Sequence, residues 1–139
     1  MACLNWLKAP GYAYEGGFAI GMKSGRGKEI FETGEQYEGE FVRNERSGQG
    51  VLRIADGDGV MTYDGTFKKG VFAGQGTLTV DEQSFKGEFK QGVFIRGMIH
   101  TKEGKTLEID LDKATYLEVL KDGTKVPIDR STLALPPEA

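Results

Sequence analysis

Few residues in this chain could do chemistry, and those few are scattered. His100 is the only histidine and Cys3 the only cysteine among 139 residues. A Cys-His nucleophile needs its two side chains within hydrogen-bond distance of each other. Here that pair would have to join the N-terminus to a point about a hundred residues further along the chain. The sequence therefore predicts no catalytic residues and no enzymatic activity.

A glycine-rich stretch near the N-terminus resembles a phosphate-binding loop but does not match it. Residues 16–24 read GGFAIGMKS, whereas the loop requires GxxxxGK followed by Ser or Thr. Met22 stands between the second glycine and Lys23, and no strand-loop-helix pattern surrounds the stretch. We expect neither a nucleotide site nor any other cofactor.

A short acidic segment, Asp56-Gly57-Asp58-Gly59, could suggest a calcium loop. The chelating Glu and the further oxygen ligands at the spacing of an EF-hand are missing. Since Asp-Gly is a strong turn signal, the segment is better interpreted as an enlarged turn. No metal site is predicted.

The glycines are explained by an internal repeat. Four segments share the pattern aromatic-x-Gly-x-Phe: 14–18, 37–41, 63–67 and 85–89. In the first three units a Gly-x-Gly follows, at Gly25 and Gly27, Gly48 and Gly50, and Gly74 and Gly76. In the fourth, Arg96 and Met98 take the two glycine positions with Gly97 between them, and a fifth start falls at Leu107. Such a period predicts a stack of one small structural unit.

The pattern within one unit indicates a β-hairpin. Tyr37, Gly39 and Phe41 alternate with charged residues and so share one face of a strand. The sequence thus predicts an all-β fold, a single-layer antiparallel β-meander whose twist curves the ring-bearing face into a groove. Hairpins are expected at about 14–31, 37–54, 63–80 and 85–101. For 111–120 two alternatives stay open: a short C-terminal helix, or a final strand that turns at Asp122-Gly123.

The repeat resembles the MORN repeat (membrane occupation and recognition nexus), whose unit reads roughly YxGxxxxGxxxGxG followed by an Asp-Gly turn. The resemblance covers about residues 12–112 and identifies a small stand-alone member of the family. We expect an N-terminal cap at 1–11, in which Leu4, Trp6 and Leu7 cover the first hairpin. Repeats follow at 14–36, 37–62, 63–84 and 85–106, with a degenerate fifth from 107, then a C-terminal cap and tail at 113–139.

The rings at the repeat positions form the first candidate binding surface. One face of a single-layer sheet has no second sheet to bury it, so part of the ring area is expected to stay exposed, and exposed apolar patches mark interaction sites. A helix or extended peptide of a larger protein could lie along such a groove. The predicted groove residues are Tyr14, Phe18, Tyr37, Phe41, Tyr63, Phe67, Phe85 and Phe89.

The charges form the second candidate surface. If each hairpin turn comprises the eight residues after the Phe, these turns sum to +7 and the turns between repeats to −5, within a net charge of −3. Turns of one kind share one edge of a meander, so a basic and an acidic edge are expected, and either could orient a partner. The predicted basic edge comprises Lys23, Arg26, Arg43, Arg46, Lys68, Lys69, Lys90 and Arg96.

The expected function follows from the resemblance. MORN proteins recur as scaffolds, which implies a non-catalytic subunit that binds a helix or peptide of a larger protein in a cytoskeletal, ciliary or other large assembly. The alternative is a peripheral membrane module that binds acidic phospholipids or phosphoinositides through the basic edge. The first ten residues lack the features of a signal peptide, and no apolar run approaches the ~18 residues of a membrane span. A cytoplasmic protein without a nucleic-acid partner is predicted.

Overall fold

The structure is a computed structural model that describes residues 3–57 and 59–133, with the backbone alone for residues 3–9 and 56. The described chain forms one 12-stranded antiparallel sheet in which every strand lies beside its neighbours in sequence. A 3-10 helix, Arg130–Thr132, follows the last strand. The strands are β1 Cys3–Ala9, β2 Tyr12–Ala19, β3 Met22–Phe31, β4 Glu35–Val42, β5 Glu45–Asp56, β6 Gly59–Lys68, β7 Val71–Val80, β8 Gln83–Lys90, β9 Val93–His100, β10 Thr106–Asp110, β11 Thr115–Val119 and β12 Lys125–Pro127.

The predicted all-β meander is therefore confirmed. The four expected hairpins correspond to β2–β3, β4–β5, β6–β7 and β8–β9. Of the two alternatives for 111–120 the strand is correct, because Thr115–Val119 pairs with Thr106–Asp110 on one side and with β12 on the other. Within the described ranges, no helix is long and apolar enough to cross a bilayer.

The hairpin turns are much shorter than the eight residues expected from the sequence. Each consists of two residues with positive φ at both positions: Ile20-Gly21, Arg43-Asn44, Lys69-Gly70 and Gln91-Gly92. Two such residues define the type I′ turn, whose twist matches that of the flanking strands. The residues after each turn therefore belong to the returning strand, where their side chains point to alternating faces of the sheet.

A contact between one tyrosine and two glycines recurs in the first three hairpins. Gly39 pairs with Gly50 across β4 and β5, and the Tyr37 ring lies over them. A Cβ on Gly50 would stand only 2.4 Å from the Tyr37 hydroxyl oxygen. The hydroxyl donates a hydrogen bond to the Glu40 carbonyl at 2.8 Å, so the buried polar end of the ring is satisfied. Equivalent tyrosines in the neighbouring hairpins donate to the carbonyls of Gly17 and Thr66.

The fourth hairpin is closer to the repeat pattern than its sequence suggested. Gly97 pairs with Gly87 as Gly50 pairs with Gly39. The alignment that placed Arg96 and Met98 at the glycine positions was wrong by one residue. In the earlier hairpins, three residues of the returning strand lie between the residue that pairs with the repeat Phe and the second glycine. In the fourth hairpin only two residues lie between these positions.

Edge-to-face ring contacts connect successive hairpins. Tyr37 packs against Phe41 of its own hairpin and against Phe67 of the next, with centroid distances of 5.1 Å in both pairs. Tyr63 contacts Phe67 and Phe89 in the same way. Edge-to-face pairs add about 0.5–1.5 kcal/mol each beyond the area that they bury. Each tyrosine therefore holds two repeats together.

The two ends of the sheet differ. The backbone of β1 pairs with β2 along its whole length, whereas the side chains of Leu4, Trp6 and Leu7, the predicted cap, lie outside what the structure describes. At the other end, Ile128 and Leu133 pack against the core cluster beyond the three-residue strand β12. A short edge strand that ends in Pro127 is poorly suited to pair with a further strand.

The tyrosine-glycine contact generates a prediction for Gly50→Ala. The added methyl would overlap the Tyr37 ring, which is fully buried and cannot move aside cheaply, so the free energy of unfolding should fall by about 1–3 kcal/mol. Urea unfolding measures this change. Gly57→Ala is the matched control, because a Cβ there meets no atom within 4 Å. Equal midpoints for the two variants would contradict the proposed role of the glycine pair.

Candidate functional site

The rings predicted to line a groove are core residues. Seven of the eight, namely Tyr14, Tyr37, Phe41, Tyr63, Phe67, Phe85 and Phe89, are at most 2 % exposed, and Phe18 is half-buried against them. Neighbouring rings and the long side chains around them provide the cover that a second sheet would otherwise provide. A ring with no exposed surface cannot contact a partner in this conformation. We therefore correct the groove assignment and treat these rings as the hydrophobic core.

The two halves of the ring-bearing face differ in the type of residue that pairs with the repeat Phe across each hairpin. In the third and fourth hairpins, Phe67 pairs with Phe72 and Phe89 pairs with Phe94. In the first and second hairpins, the same position holds a cation: Phe18 pairs with Lys23, and Phe41 with Arg46. The N-terminal half of this face is therefore polar where the C-terminal half is aromatic.

A charged cluster forms around Glu29, which is 5 % exposed. Its carboxylate accepts hydrogen bonds from Lys23 Nζ at 2.8 Å, Arg46 Nε at 3.0 Å and the Tyr12 hydroxyl at 2.6 Å. Arg46 also bonds Glu35 at 2.9 Å. The two cations lie over rings as well, with Arg46 4.8 Å from the centre of Tyr37 and Lys23 5.4 Å from that of Phe41. We call Tyr12, Lys23, Glu29, Glu35 and Arg46 the Glu29 cluster.

The pKa values of the cluster follow from this geometry. Burial alone would raise the pKa of Glu29, but hydrogen bonds from Lys23 and Tyr12 and the charges of Lys23 and Arg46 hold it below its ordinary value. Burial and the adjacent Glu29 carboxylate raise the pKa of Tyr12 well above its ordinary value. The cluster is fully paired and contains two cations and two carboxylates, so it is a neutral packing element with no vacant ligand position.

The basic edge is smaller than predicted, because three of its eight residues are internally paired. Lys23 and Arg46 belong to the Glu29 cluster. Arg96 bonds Glu88 at 2.6 Å and also pairs with Asp110 and Asp112. Arg26 is exposed but lies within β3, opposite Glu40, away from the turn. These four are not part of a continuous basic edge.

Four cations remain at the hairpin turns, and we call Arg43, Lys68, Lys69 and Lys90 the turn cations. All four are exposed, and none forms an ion pair within the described residues. Glu45, beside the second turn, is the one carboxylate among the turn residues and their immediate neighbours. Four positive charges and one negative charge leave +3 at this edge, instead of the +7 expected.

The hairpin turns are also connected to one another by backbone hydrogen bonds. Asn44 N–H donates to the Lys23 carbonyl, and Gly70 N–H donates to the carbonyl of Arg46. Gly92 N–H donates to the Phe72 carbonyl in the same manner. These bonds fix the turns in a row, so the turn cations are displayed at a regular spacing on a rigid edge.

Among the residues that the structure describes, the other sequence candidates do not come together in a chemical site, and the side chains of Cys3, Asp56 and Asp58 lie outside what it describes. β1, which contains Cys3, and β9, which ends at His100, are separated by seven strands of an open sheet, roughly 40 Å at the usual strand spacing. Gly21 belongs to a hairpin turn and Lys23 pairs with Glu29, so the resemblance to a phosphate loop has a structural explanation. No group of three or more metal-ligating side chains occurs among the residues described here.

Comparison with known families agrees with the repeat geometry. A family model described as MORN repeat matches residues 14–36, 37–59 and 63–79. This chain is a MORN-repeat protein. The three matched units contain the three tyrosine-glycine contacts, whereas the fourth hairpin, which has Phe85 in place of the tyrosine, lies outside the matched residues. MORN repeats are in general protein or membrane interaction modules without catalytic activity.

Sequence reasoning missed the Glu29 cluster of this MORN protein. Alignment of the repeats contains a signal for this cluster. Glu29 stands opposite Tyr14, whereas Leu52 and Leu78 stand opposite the tyrosines of the next two units. Opposite charges at repeat positions that are apolar in the other units indicate that these charges pair with each other. Lys23 and Arg46 were instead assigned to the turns, because the length of the turns was overestimated.

The Glu29 cluster predicts opposite effects for a single and a triple substitution. Glu29→Leu leaves two partly buried cations without their shared partner and should lower the free energy of unfolding by about 3–5 kcal/mol. Lys23→Phe with Glu29→Leu and Arg46→Phe introduces the apolar residue types that the third hairpin has at the same repeat positions. This triple variant should recover most of the lost free energy of unfolding. Urea unfolding of the three proteins measures both effects. A triple variant as unstable as the single variant would contradict the account.

The same cluster predicts a direction for pH dependence. The lowered pKa of Glu29 means that the unfolded chain takes up the proton first as pH falls. The stabilisation is therefore complete above the ordinary glutamate pKa of about 4.3 and is lost as pH falls through the lower folded value. The stability difference between the parent and Glu29→Leu should shrink below about pH 4. A difference that stays constant down to pH 3 would contradict this.

Proposed function

We propose that this MORN protein is a non-catalytic scaffold module that binds an acidic segment of a larger protein across its hairpin turns. The observation that carries the proposal is the row of turn cations, which are exposed and unpaired within the described chain while neighbouring cations are paired internally. Unpaired like charges on a rigid edge repel each other, and an acidic partner would relieve that repulsion. We therefore propose that the partner binds the turns and not the rings, which are buried.

The spacing of the turns indicates what the partner should look like. Each repeat adds two strands, so successive turns lie about 10 Å apart. This distance equals about three residues of an extended peptide or about seven residues of a helix. An extended segment in the polyproline II conformation with a carboxylate at every third residue, or a helix with one in every heptad, would face Arg43, Lys69 and Lys90 in turn. We favour such a segment as the partner.

The absence of catalysis is part of the proposal and is supported by the topology. The distance between β1 and β9 separates the lone cysteine from the lone histidine, and the charged cluster around Glu29 is fully paired. We place the protein in the cytoplasm, within a cytoskeletal, ciliary or membrane-linked assembly, because MORN repeats recur in scaffolds of this kind.

A second candidate function, binding of acidic phospholipids or phosphoinositides, is favoured by the same cations. Basic residues near an anionic membrane contribute about 1 kcal/mol each. Against it, the net charge is −3, and Glu32, Asp81 and Glu82 are exposed at the opposite edge, so the protein as a whole gains little from a negative surface. Sedimentation with vesicles, with and without phosphoinositide, separates the two functions: capture by phosphoinositide vesicles would favour the lipid.

Charge reversal tests the proposed surface. Lys68→Glu with Lys69→Glu should strongly reduce recovery of acidic partner proteins from cell extract, because the third turn then repels them. Lys105→Glu with Lys121→Glu is the matched control, since both lysines are exposed and lie in turns at the opposite edge. Quantitative mass spectrometry of the captured proteins measures both pairs. Equal losses would show that only the overall charge matters.

Salt provides an independent check of the same prediction. Association with a captured partner should slow as salt rises beyond about 0.15 M, where the screening length is ~8 Å. Stopped-flow mixing of the purified pair measures the rate. A rate that does not depend on salt would contradict recognition by the turn cations.

A further inference from the structure

The first hairpin turn carries a residue that suits neither the turn nor the solvent. Ile20 is the first residue of the Ile20-Gly21 turn, with φ at 52°, and its side chain is 96 % exposed. A β-branched residue is strongly disfavoured in the left-handed region. The equivalent positions of the other three hairpins hold Arg43, Lys69 and Gln91, all of them polar.

Within the described part of the chain, the fold gives no reason for an isoleucine at this point. Its side chain has almost no contacts, so it contributes little to the core, and asparagine would satisfy the type I′ turn better. A local rule that is broken without compensation inside the molecule is a reason to look for a function. Contact with another molecule would offset the cost of an isoleucine in this turn, because burial of its exposed apolar surface is favourable.

A second exposed apolar side chain lies in the neighbouring hairpin at the same edge. Val42, the last residue of β4, is 54 % exposed. Asn44, two residues further on, accepts a hydrogen bond from Lys23 N–H at 2.8 Å and donates one to the Lys23 carbonyl, which ties the two turns together. Ile20 and Val42 therefore stand at one end of the row of turn cations.

We propose that Ile20, with Val42 beside it, is the apolar anchor of the binding edge and inserts into an acidic partner segment that also carries a large apolar side chain. This inference rests on the proposed function, because the acidic character of the partner is taken from the turn cations. A few well-packed residues usually dominate the free energy of an interface, while surrounding charges orient the partner. The cations select an acidic segment, and Ile20 fixes its register by marking one end of the row.

The test separates the anchor from the turn by substitutions that have opposite effects on folding and on binding. Ile20→Asn creates the Asn-Gly pair that type I′ turns prefer, so the melting temperature should rise by a few degrees while binding weakens. Gln91→Asn is the matched control, since it makes the same pair in the fourth hairpin and should raise the melting temperature with unchanged binding. Val42→Thr keeps the branched shape and removes apolar surface, and should weaken binding less than Ile20→Asn.

The probe is a phage-displayed library of random peptides selected on the immobilised parent protein. We expect the enriched peptides to combine several acidic residues with a Leu, Phe or Trp. Their Kd should weaken by about tenfold for Ile20→Asn, the size of a typical anchor residue, and by less than about twofold for Gln91→Asn. Enriched peptides that bind Ile20→Asn as tightly as the parent would overturn the inference.

Three further outcomes separate failure of the inference from failure of the proposed function. If Lys68→Glu with Lys69→Glu abolishes peptide binding while Ile20→Asn does not, the acidic-partner function stands and the anchor is overturned. If neither that pair nor salt affects binding, the proposed function itself fails. If no peptide is enriched, but vesicles with about one-fifth phosphatidylserine bind the parent and not Ile20→Asn, the edge inserts into membranes and the protein partner is overturned.

Discussion

The structure depends on one repeated contact, a tyrosine ring laid over a pair of glycines that face each other across a hairpin. Any side chain at Gly50 or Gly76 would occupy the volume of the ring. Because the hydroxyl reaches a backbone carbonyl three residues further along the chain, the ring can be buried with its polar end satisfied. The edge of each ring then packs against the phenylalanine of the next repeat, which sets how one hairpin stacks on another.

This contact explains how a single layer can have a core. A lone sheet normally exposes both faces, but here tyrosine and phenylalanine rings alternate edge to face from Phe18 to Phe89 and cover each other. In the N-terminal half the stems of Lys23 and Arg46 complete the cover, since long charged side chains can lie along apolar surface while their charged ends pair. The consequence for function is that the rings hold the fold together, and recognition falls to the turns.

The period and the parity of the sequence predicted the hairpins and their order, and the resemblance of the repeat pattern to a known family indicated the family. What they could not show was the irregularity in each returning strand, where three residues such as Ser47, Gly48 and Gln49 face the single residue Glu40. Because the sequence pattern does not reveal this bulge, the two-residue turns were predicted too long. Lys23 and Arg46 were therefore assigned to the turns and not to the returning strands. The bulge also displaced Gly97 by one position, because the fourth hairpin has a smaller bulge. Burial of the rings could not be predicted, since it arises from contacts between repeats and not within one.

The repeat tyrosines are core residues, and an alkaline titration measures their burial. Burial raises the pKa of Tyr37 and of Tyr63 to about 12, whereas an ordinary tyrosine ionises near 10. Absorbance at 295 nm and far-UV circular dichroism, followed in one titration of a protein with five tyrosines, report ionisation and folding together. We expect a large share of the tyrosine signal to appear only near or above pH 12, or together with unfolding. Ionisation of all five tyrosines near pH 10 in a protein that keeps its strand signal would contradict it.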